Sequence, residues 1–319
     1  MRAAAGILAS GLLWGAVGLS AMGQSLAQAN TALQAGEADH ALALLKALPP
    51  SAEASNLECR VRLTLQQWNA AADACEQAVR RDGQNSNDHL WLARALGEKA
   101  DRAFFTSAYS LAKQVRQEFE LAVQLDAHNA EALAGLGEFY EEAPSVVGGG
   151  LDKAEAVAAQ LDTLDPARAH ELRGHIAEQR KNYEAADQEY KQAAAVSAHP
   201  AVQWATLASF CRRRSRWQEL DWAISRCVTA AARDKHAGEA LYDGAGVLIR
   251  ANRNPQLAAK MLEDYLASSS KTEEAPAFEA HLRLARLKAQ LGDKAGAEQE
   301  RQAALALARE YKPAQEPIH

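Results

Sequence analysis

Several features are scarce or missing in this chain, and each absence excludes something. Among 319 residues, aromatic residues make up 6% and there are only four cysteines. Runs of β-branched residues with strict alternation are missing, which argues against a sheet, whereas alanine is abundant and favours helices. An excess of basic residues is also missing. Because the formal net charge is -6, composition gives no general reason to expect nucleic-acid binding.

Long apolar runs are missing everywhere except at the N-terminus. Residues 1–27 carry a basic residue, Arg2, near their start and continue as an apolar stretch to Gly23. Small-residue cleavage sites follow, after Gly23 and after Ala27. This pattern is typical of a signal peptide, and the absence of cysteine from it argues against a lipoprotein anchor. An uncleaved membrane anchor is the alternative, because the stretch is nearly long enough to span a bilayer. We therefore expect a periplasmic or secreted protein with no membrane span in the mature chain.

A spacing of four and then three residues recurs along the rest of the chain. Ala71, Cys75 and Ala78 show it, and further copies begin at residues 41, 115, 154, 186, 220, 258 and 297. Such spacing places all three residues on one face of a helix. A second pattern lies upstream of several copies, with small residues beside large ones, as in Leu136-Gly137 followed by Tyr140. The small residue lets a neighbouring helix approach closely.

Together these two patterns resemble the tetratricopeptide repeat (TPR) family, whose helix-turn-helix unit has about 34 residues. The resemblance covers nearly the whole mature chain. It implies an all-α fold, a right-handed superhelical solenoid of about eight helical hairpins over residues 28–311, followed by a flexible tail over 312–319. It also implies a concave groove that binds a peptide or protein, without enzymatic activity and without a cofactor.

Three consecutive glycines, Gly148 to Gly150, raise the question of a phosphate-binding loop. Such a loop follows a strand and ends in Gly-Lys-Ser/Thr. Here a helical pattern precedes the glycines, and Lys153 is followed by Ala154. The sequence therefore predicts an enlarged turn within one hairpin.

Another hairpin carries a longer insertion between Leu96 and Val115. Because turns of this kind line up along one edge of a solenoid, we expect the two insertions to touch. The contact would bring together three aromatic and three apolar side chains: Phe104, Phe105 and Tyr109 with Pro144, Val146 and Val147. Two interpretations stay open, a private mini-core that stiffens the array and an exposed aromatic docking patch.

The four cysteines form two pairs with the same separation of sixteen residues, Cys59 with Cys75 and Cys211 with Cys227. The first hairpin turns midway between its cysteines, so they should face each other. The second turns near Ser215, which offsets its cysteines by roughly 9 Å along the helices. A disulfide needs Cα atoms within about 7 Å. We predict a Cys59–Cys75 disulfide and expect the other two cysteines to be buried and reduced.

Projecting the groove face of the TPR unit onto this chain brings a set of arginines inward. The predicted binding residues are Arg94, Arg212, Arg213, Arg250 and Arg286, with Arg60 and Arg283 on the same face. A stripe of guanidiniums with few facing acids would hold an acidic peptide segment through bidentate hydrogen bonds. The alternative is a merely solvated surface. The lysines and asparagines with which some TPR proteins clamp a carboxylate are not reproduced.

Catalytic and metal-binding patterns are weak. His170 and His175 are five residues apart, which is a poor spacing for one helical face, and no cysteine lies near them. We therefore expect no metal site. Glu138, Glu141 and Glu142 could include an acid-base pair, so the alternative function is a helical cell-envelope enzyme, or an enzyme subunit, with carboxylates in its groove.

Overall fold

The computed structural model describes residues 12–318, with side chains described from residue 23 onward. Within that range the chain forms seventeen α-helices and one short 3-10 turn, and the all-α solenoid predicted from the sequence is confirmed. Sixteen of the helices pair as hairpins, and a short helix follows them. They are α1 (Leu12–Gln34) with α2 (Ala38–Lys46), α3 (Ala52–Thr64) with α4 (Trp68–Arg81), α5 (Ser86–Ala100) with α6 (Phe105–Leu125), α7 (Ala130–Glu142) with α8 (Leu151–Leu161), α9 (Pro166–Gln179) with α10 (Tyr183–Val196), α11 (Ala201–Arg213) with α12 (Trp217–Ala231), α13 (Gly238–Arg250) with α14 (Pro255–Ala267), α15 (Ala277–Gln290) with α16 (Lys294–Leu307), and then α17 (Lys312–Gln315).

Asparagine and aspartate side chains begin many of these helices. Asn129, Asp165 and Asn182 precede α7, α9 and α10, and each accepts a hydrogen bond from a backbone N–H three residues later, at 3.0, 3.1 and 3.2 Å. Such a cap satisfies a donor that the first helical turn leaves unpaired. Pro166 then occupies the start of α9, where a proline costs no hydrogen bond. The helix boundaries are thus encoded locally.

Six of the eight hairpin turns share one geometry. Each contains a residue with left-handed backbone, at positions 36, 66, 181, 215, 252 and 292, with φ between 49° and 88°. In the first of them the N–H of Gly36 donates to the carbonyl of Leu33, and that of Glu37 donates to Ala32, at 2.9 and 2.8 Å. These bonds close the helix end. The two hairpins that lack this turn, α5–α6 and α7–α8, are the two with insertions.

The glycine run is a turn, as predicted. It follows the 3-10 turn Ser145–Val147, and Gly148 has φ 104°. A Cβ on Gly149 would lie 1.8 Å from the carbonyl oxygen of Ala143, so the backbone passes too close for any other residue. The N–H of Gly150 donates to the carbonyl of Tyr140 at 2.8 Å and ties the turn back to α7.

The two insertions do touch, but not through the predicted aromatic residues. Helix α6 packs against the 3-10 turn, and the side chain of Arg116 lies beside Gly148. Phe104 and Phe105 are each 90% exposed, and Tyr109 is 39% exposed. The mini-core interpretation is therefore wrong, because these rings remain in solvent.

The predicted anchor residues form the core between the helix layers. Ala71, Cys75 and Ala78 are fully buried, and the equivalent residues of the other hairpins are mostly buried as well. Cys59 and Cys75 are joined by a disulfide with Cα atoms 5.2 Å apart. Cys211 and Cys227 are buried and free.

The ends of the solenoid meet, so that the array closes into a ring. One hydrophobic cluster contains Leu33 and Leu57 near the N-terminus together with Phe278, Leu282 and Tyr311 near the C-terminus. Helix α16 also contacts α2. The eight first helices therefore surround a central space, and we call their inward faces the inner wall.

The C-terminal residues take part in this closure. The expected flexible tail over 312–319 is wrong for its first residues, because α17 forms there and Ala314 is fully buried. Tyr311 is 2% exposed, and its ring centroid lies 4.8 Å from that of Phe278. The aromatic pair fixes the end of the chain against α15.

Residues 1–11 of the predicted signal peptide lie outside the described residues. Helix α1 runs from Leu12 through both predicted cleavage sites to Gln34, and Ala29, Ala32 and Leu33 beyond them are buried in the ring. Cleavage at either site would leave those buried residues in place. In the part of the chain that the structure describes, no helix is both long and apolar enough to cross a membrane.

Candidate functional site

The junction where the ring closes, which we call the seam, is held by a buried ion pair. Glu273 precedes α15 and is 8% exposed. Its carboxylate accepts hydrogen bonds from Nε of Arg60 at 2.9 Å and from Nη2 of the same guanidinium. It also accepts one from the side-chain amide of Gln34 at 3.0 Å. Arg60 also donates to Asn30 at 3.3 Å. A single carboxylate thus connects the C-terminal part of the ring with α1 and α3.

A second ion pair crosses the seam at the surface. Arg309 Nε lies 2.7 Å from a carboxylate oxygen of Asp39, and its side chain is 83% exposed. Exposed pairs of this kind contribute little to stability, because water and salt screen them. The buried contacts therefore dominate the closure.

Next to the seam, a cavity of about 720 Å³ lies within the ring. Its walls come from α3, α5 and α7 on one side, and from Glu274, Pro276 and Glu279 on the other. Trp91 and Phe139 supply aromatic surface. The guanidiniums of Arg60 and Arg94 lie 5.0 and 4.5 Å from the centroid of Trp91. The cavity therefore combines aromatic surface with both signs of charge.

Carboxylates are crowded along the inner wall. Burial and the charge of Glu171 raise the pKa of Glu138 to about 7. Burial, with Asp243 and Glu274, raises the pKa of Glu239 to about 7, and burial also raises that of Asp243 to about 6. Glu131 on α7 also acts on Glu239 on α13, so the ring brings distant helices within electrostatic range. The expectation of few facing acids is wrong.

Three guanidiniums nevertheless lie close together on the same inner wall, two of them within electrostatic range of Asp243. They belong to Arg212 on α11, Arg250 on α13 and Arg283 on α15. Burial, and then the charges of Arg212 and Arg283, lower the pKa of Arg250. Among the described residues, the side chains of Arg212 and Arg250 have no hydrogen-bond or ion-pair partner, although Asp243 lies within electrostatic range of Arg250, and the Nε of Arg212 is buried. We call this group the arginine cluster.

The backbone beneath the arginine cluster explains how these charges fit. A Cβ on Gly246 would lie 2.9 Å from Arg283 Nη1 and 3.3 Å from Arg250 Nη1, so glycine leaves room for both guanidiniums. Arg283 is fixed by stacking 3.9 Å from the ring centroid of Tyr242 and by donating to Glu279 at 3.1 Å. One arginine is therefore held rigidly, while two remain available to an anion.

Comparison with solved structures shows which fold this is. TTC0263, a thermophilic TPR protein from Thermus thermophilus, is similar with a TM-score of 0.51 and 19% identity, over 59% of this chain and 98% of that chain. The chain has the TPR fold. A TPR protein from Parabacteroides merdae gives a TM-score of 0.38 with 15% identity over 83% of this chain and 99% of that one. Pseudomonas aeruginosa PilF gives 0.37 with 16% identity over 83% and 96%. No family model and no curated protein matches the sequence.

The TPR ring divides the predicted binding arginines. Arg212 and Arg250 lie together in the arginine cluster, joined by Arg283. Arg213 instead pairs with Glu178, with its Nε at 3.1 Å, and Arg94 pairs with Glu131 at 3.3 Å. Arg286 is exposed on α15 near Tyr311. The predicted stripe is therefore shorter than expected, because Arg213 and Arg286 are not part of it.

Other predicted side chains have local structural partners in the TPR ring. His170 bonds Glu189 at 2.7 Å, and His175 packs edge-on against Tyr190. Among the described residues, no group of three or more His, Cys, Asp or Glu could hold a metal ion. Gln34 and Glu273 were not identified as contact residues from the sequence. Glu273 lies in the connection between α14 and α15, and nothing in that segment signals a contact with the first hairpin.

Proposed function

We propose that this TPR ring is a non-enzymatic scaffold, periplasmic or secreted, that holds an acidic segment of a partner protein against its inner wall. TPR-fold proteins are in general protein-interaction scaffolds. The observation that carries the proposal is the arginine cluster. Its two unpaired guanidiniums repel each other, Asp243 offsets only part of that repulsion, and a bound anion would relieve the rest.

Carboxylates are the anions that best fit the cluster. A guanidinium offers a planar fork of donors that matches a carboxylate, and hydrogen bonds to charged groups contribute about 1.5–3 kcal/mol each. Arg283 is already oriented by Glu279 and Tyr242 and so loses little side-chain entropy when a ligand binds, while Arg212 and Arg250 supply the free donors.

Export is supported by two observations. The first 27 residues have the pattern of a signal peptide. The Cys59–Cys75 disulfide is of a kind that persists in oxidising compartments. Fractionation of cells that express the full chain, followed by N-terminal sequencing of the mature protein, tests both the location and the cleavage site.

The binding proposal is tested with a fluorescein-labelled peptide of alternating Glu and Ser. Replacing Arg212 and Arg250 by Gln should weaken its binding at least 10-fold, since about 1.4 kcal/mol corresponds to a factor of ten. The matched control replaces Arg233 and Lys235, which are exposed between α12 and α13, and changes net charge equally.

Three results would contradict the proposal. They are an equal loss of peptide affinity in the arginine variant and its control, equally tight binding of a Gln-Ser peptide and the Glu-Ser peptide, and an affinity that does not change with salt. Crosslinking in a periplasmic fraction with the same pair of variants then identifies the natural partner.

A further inference from the structure

A second cavity, of about 400 Å³, lies at the seam between α3, α5 and the connection from α14 to α15. Its lining is strongly acidic, since five carboxylates accompany one guanidinium: Glu53, Asp88, Glu131, Glu273 and Glu274 with Arg60. That guanidinium is already bound to Glu273, and Glu131 pairs with Arg94. We call this space the seam cavity.

Asp88 is the residue that sets the seam cavity apart from an ordinary acidic surface. It is 2% exposed, and its Oδ1 accepts a hydrogen bond from Asn56 at 2.7 Å. Its Oδ2 is buried and has no hydrogen-bond partner in the part of the chain that the structure describes. Burial is the main reason why the pKa of Asp88 is raised to about 6, and Glu53 adds to it. A buried carboxylate oxygen without a partner is costly, about 1–3 kcal/mol or more for a charged group.

The separation of the carboxylates around the seam cavity favours an organic cation over a metal ion. Its carboxylates come from separate segments, and no described group of three or more such side chains is close enough to hold one ion. Trp91 also lines the cavity, but the guanidiniums of Arg60 and Arg94 already lie over its ring, so the attraction for a cation comes from the carboxylates.

Building on the scaffold function above, we propose that the seam cavity binds a basic side chain of the captured peptide segment. Asp88, Glu53 and Glu274 supply the negative charge. Glu274 belongs to the C-terminal side of the seam, whereas Asp88 and Glu53 belong to α5 and α3. A bound lysine or arginine therefore attracts both sides at once and stabilises the closed ring.

The test uses Asp88→Asn and a labelled Lys-Ser peptide with an amidated C-terminus. Asparagine keeps the acceptor for Asn56 and removes the charge. We expect the free protein to melt at the same or a higher temperature, while peptide binding weakens at least 10-fold. If Asp88 had only a structural role, its replacement would lower the melting temperature and leave peptide binding unchanged. The two measurements together therefore distinguish a structural role from a binding role.

Matched controls define the remaining outcomes. Glu76→Gln removes one charge from the outer helix α4 and should leave binding unchanged. An acetyl-lysine peptide should not bind, and an Arg-Ser peptide should bind like the lysine peptide. Equal binding of the acetylated peptide, or stabilisation by Ca²⁺ that Asp88→Asn abolishes, would overturn the inference. The Arg212 and Arg250 variant should bind the lysine peptide normally, so failure here is distinguishable from failure of the arginine cluster.

Discussion

Replacing Glu273 by Ala should loosen the seam without unfolding the rest of the ring. The side chain is the acceptor for Arg60 and Gln34, and it is the only carboxylate that both of them contact among the described residues. Removal leaves the Arg60 guanidinium, whose side chain is 18% exposed, without its counter-charge. The apolar contacts of Phe278 and Tyr311 remain, so the ring should stay closed on average.

The magnitude follows from burial. Breaking a buried ion pair by removing one partner costs about 3–5 kcal/mol. Arg60 keeps its bond to Asn30 and its stacking on Trp91, which places the expected cost at the lower end, about 3 kcal/mol. At about 1.4 kcal/mol per factor of ten, opening of the seam should become roughly 100-fold more frequent.

Amide hydrogen exchange measures this opening helix by helix. In the Glu273→Ala protein, exchange should accelerate in α1, α2 and α15 to α17, and should stay unchanged in α9 to α12 on the far side. Arg309→Ala is the matched control, because it removes an exposed ion pair across the same seam. Because water screens that pair, its loss should change the exchange rates far less than the loss of Glu273 does.

Two outcomes would refute this reasoning. Equal exchange in the two variants would mean that Glu273 does not hold the ends together. Uniform acceleration in every helix would mean that the seam does not open separately from the rest of the ring.

Three further predictions concern stability. Replacing Cys59 and Cys75 together by Ala should lower the free energy of unfolding by about 3 kcal/mol, measured by urea denaturation against the oxidised protein; an unchanged midpoint would argue against the bond. Because the pKa values of Glu138 and Glu239 are raised to about 7 in the fold, their contribution to stability is present below about pH 4.5 and is lost as pH rises through 7. The melting temperature should therefore fall between pH 5.5 and pH 8, and less so after both are replaced by Gln. Tyr311→Ala should accelerate exchange in α15, by removing about 3–5 kcal/mol of aromatic packing; normal exchange would mean that the C-terminus is not part of the ring.

The sequence by itself determined the repeat fold and its helix boundaries. The spacing of Ala71, Cys75 and Ala78, and its copies, encodes one buried face per helix. Capping residues such as Asn129 and Asp165 act within a single helical turn. These signals are local, since each hairpin packs mainly against its neighbours, and they can be predicted from short windows of sequence. The Cys59–Cys75 pairing could be predicted in the same way, because both cysteines lie nearly the same number of residues from the turn between their helices.

Only the tertiary structure decided that the solenoid closes. The position of the last hairpin depends on the sum of the rotations between all neighbouring hairpins, which no single repeat determines. The deciding contacts join residues far apart in sequence, as in Arg60 with Glu273, separated by 213 residues. No local pattern predicts such a pair.

Closure also decided the character of the inner wall. In an open groove, Glu131 on α7 and Glu239 on α13 would lie far apart. In the ring they come within electrostatic range, whereas Arg212, Arg250 and Arg283 meet because their helices are successive neighbours. Charge interactions depend on distance in three dimensions, and the sequence specifies that distance only once the ring is complete.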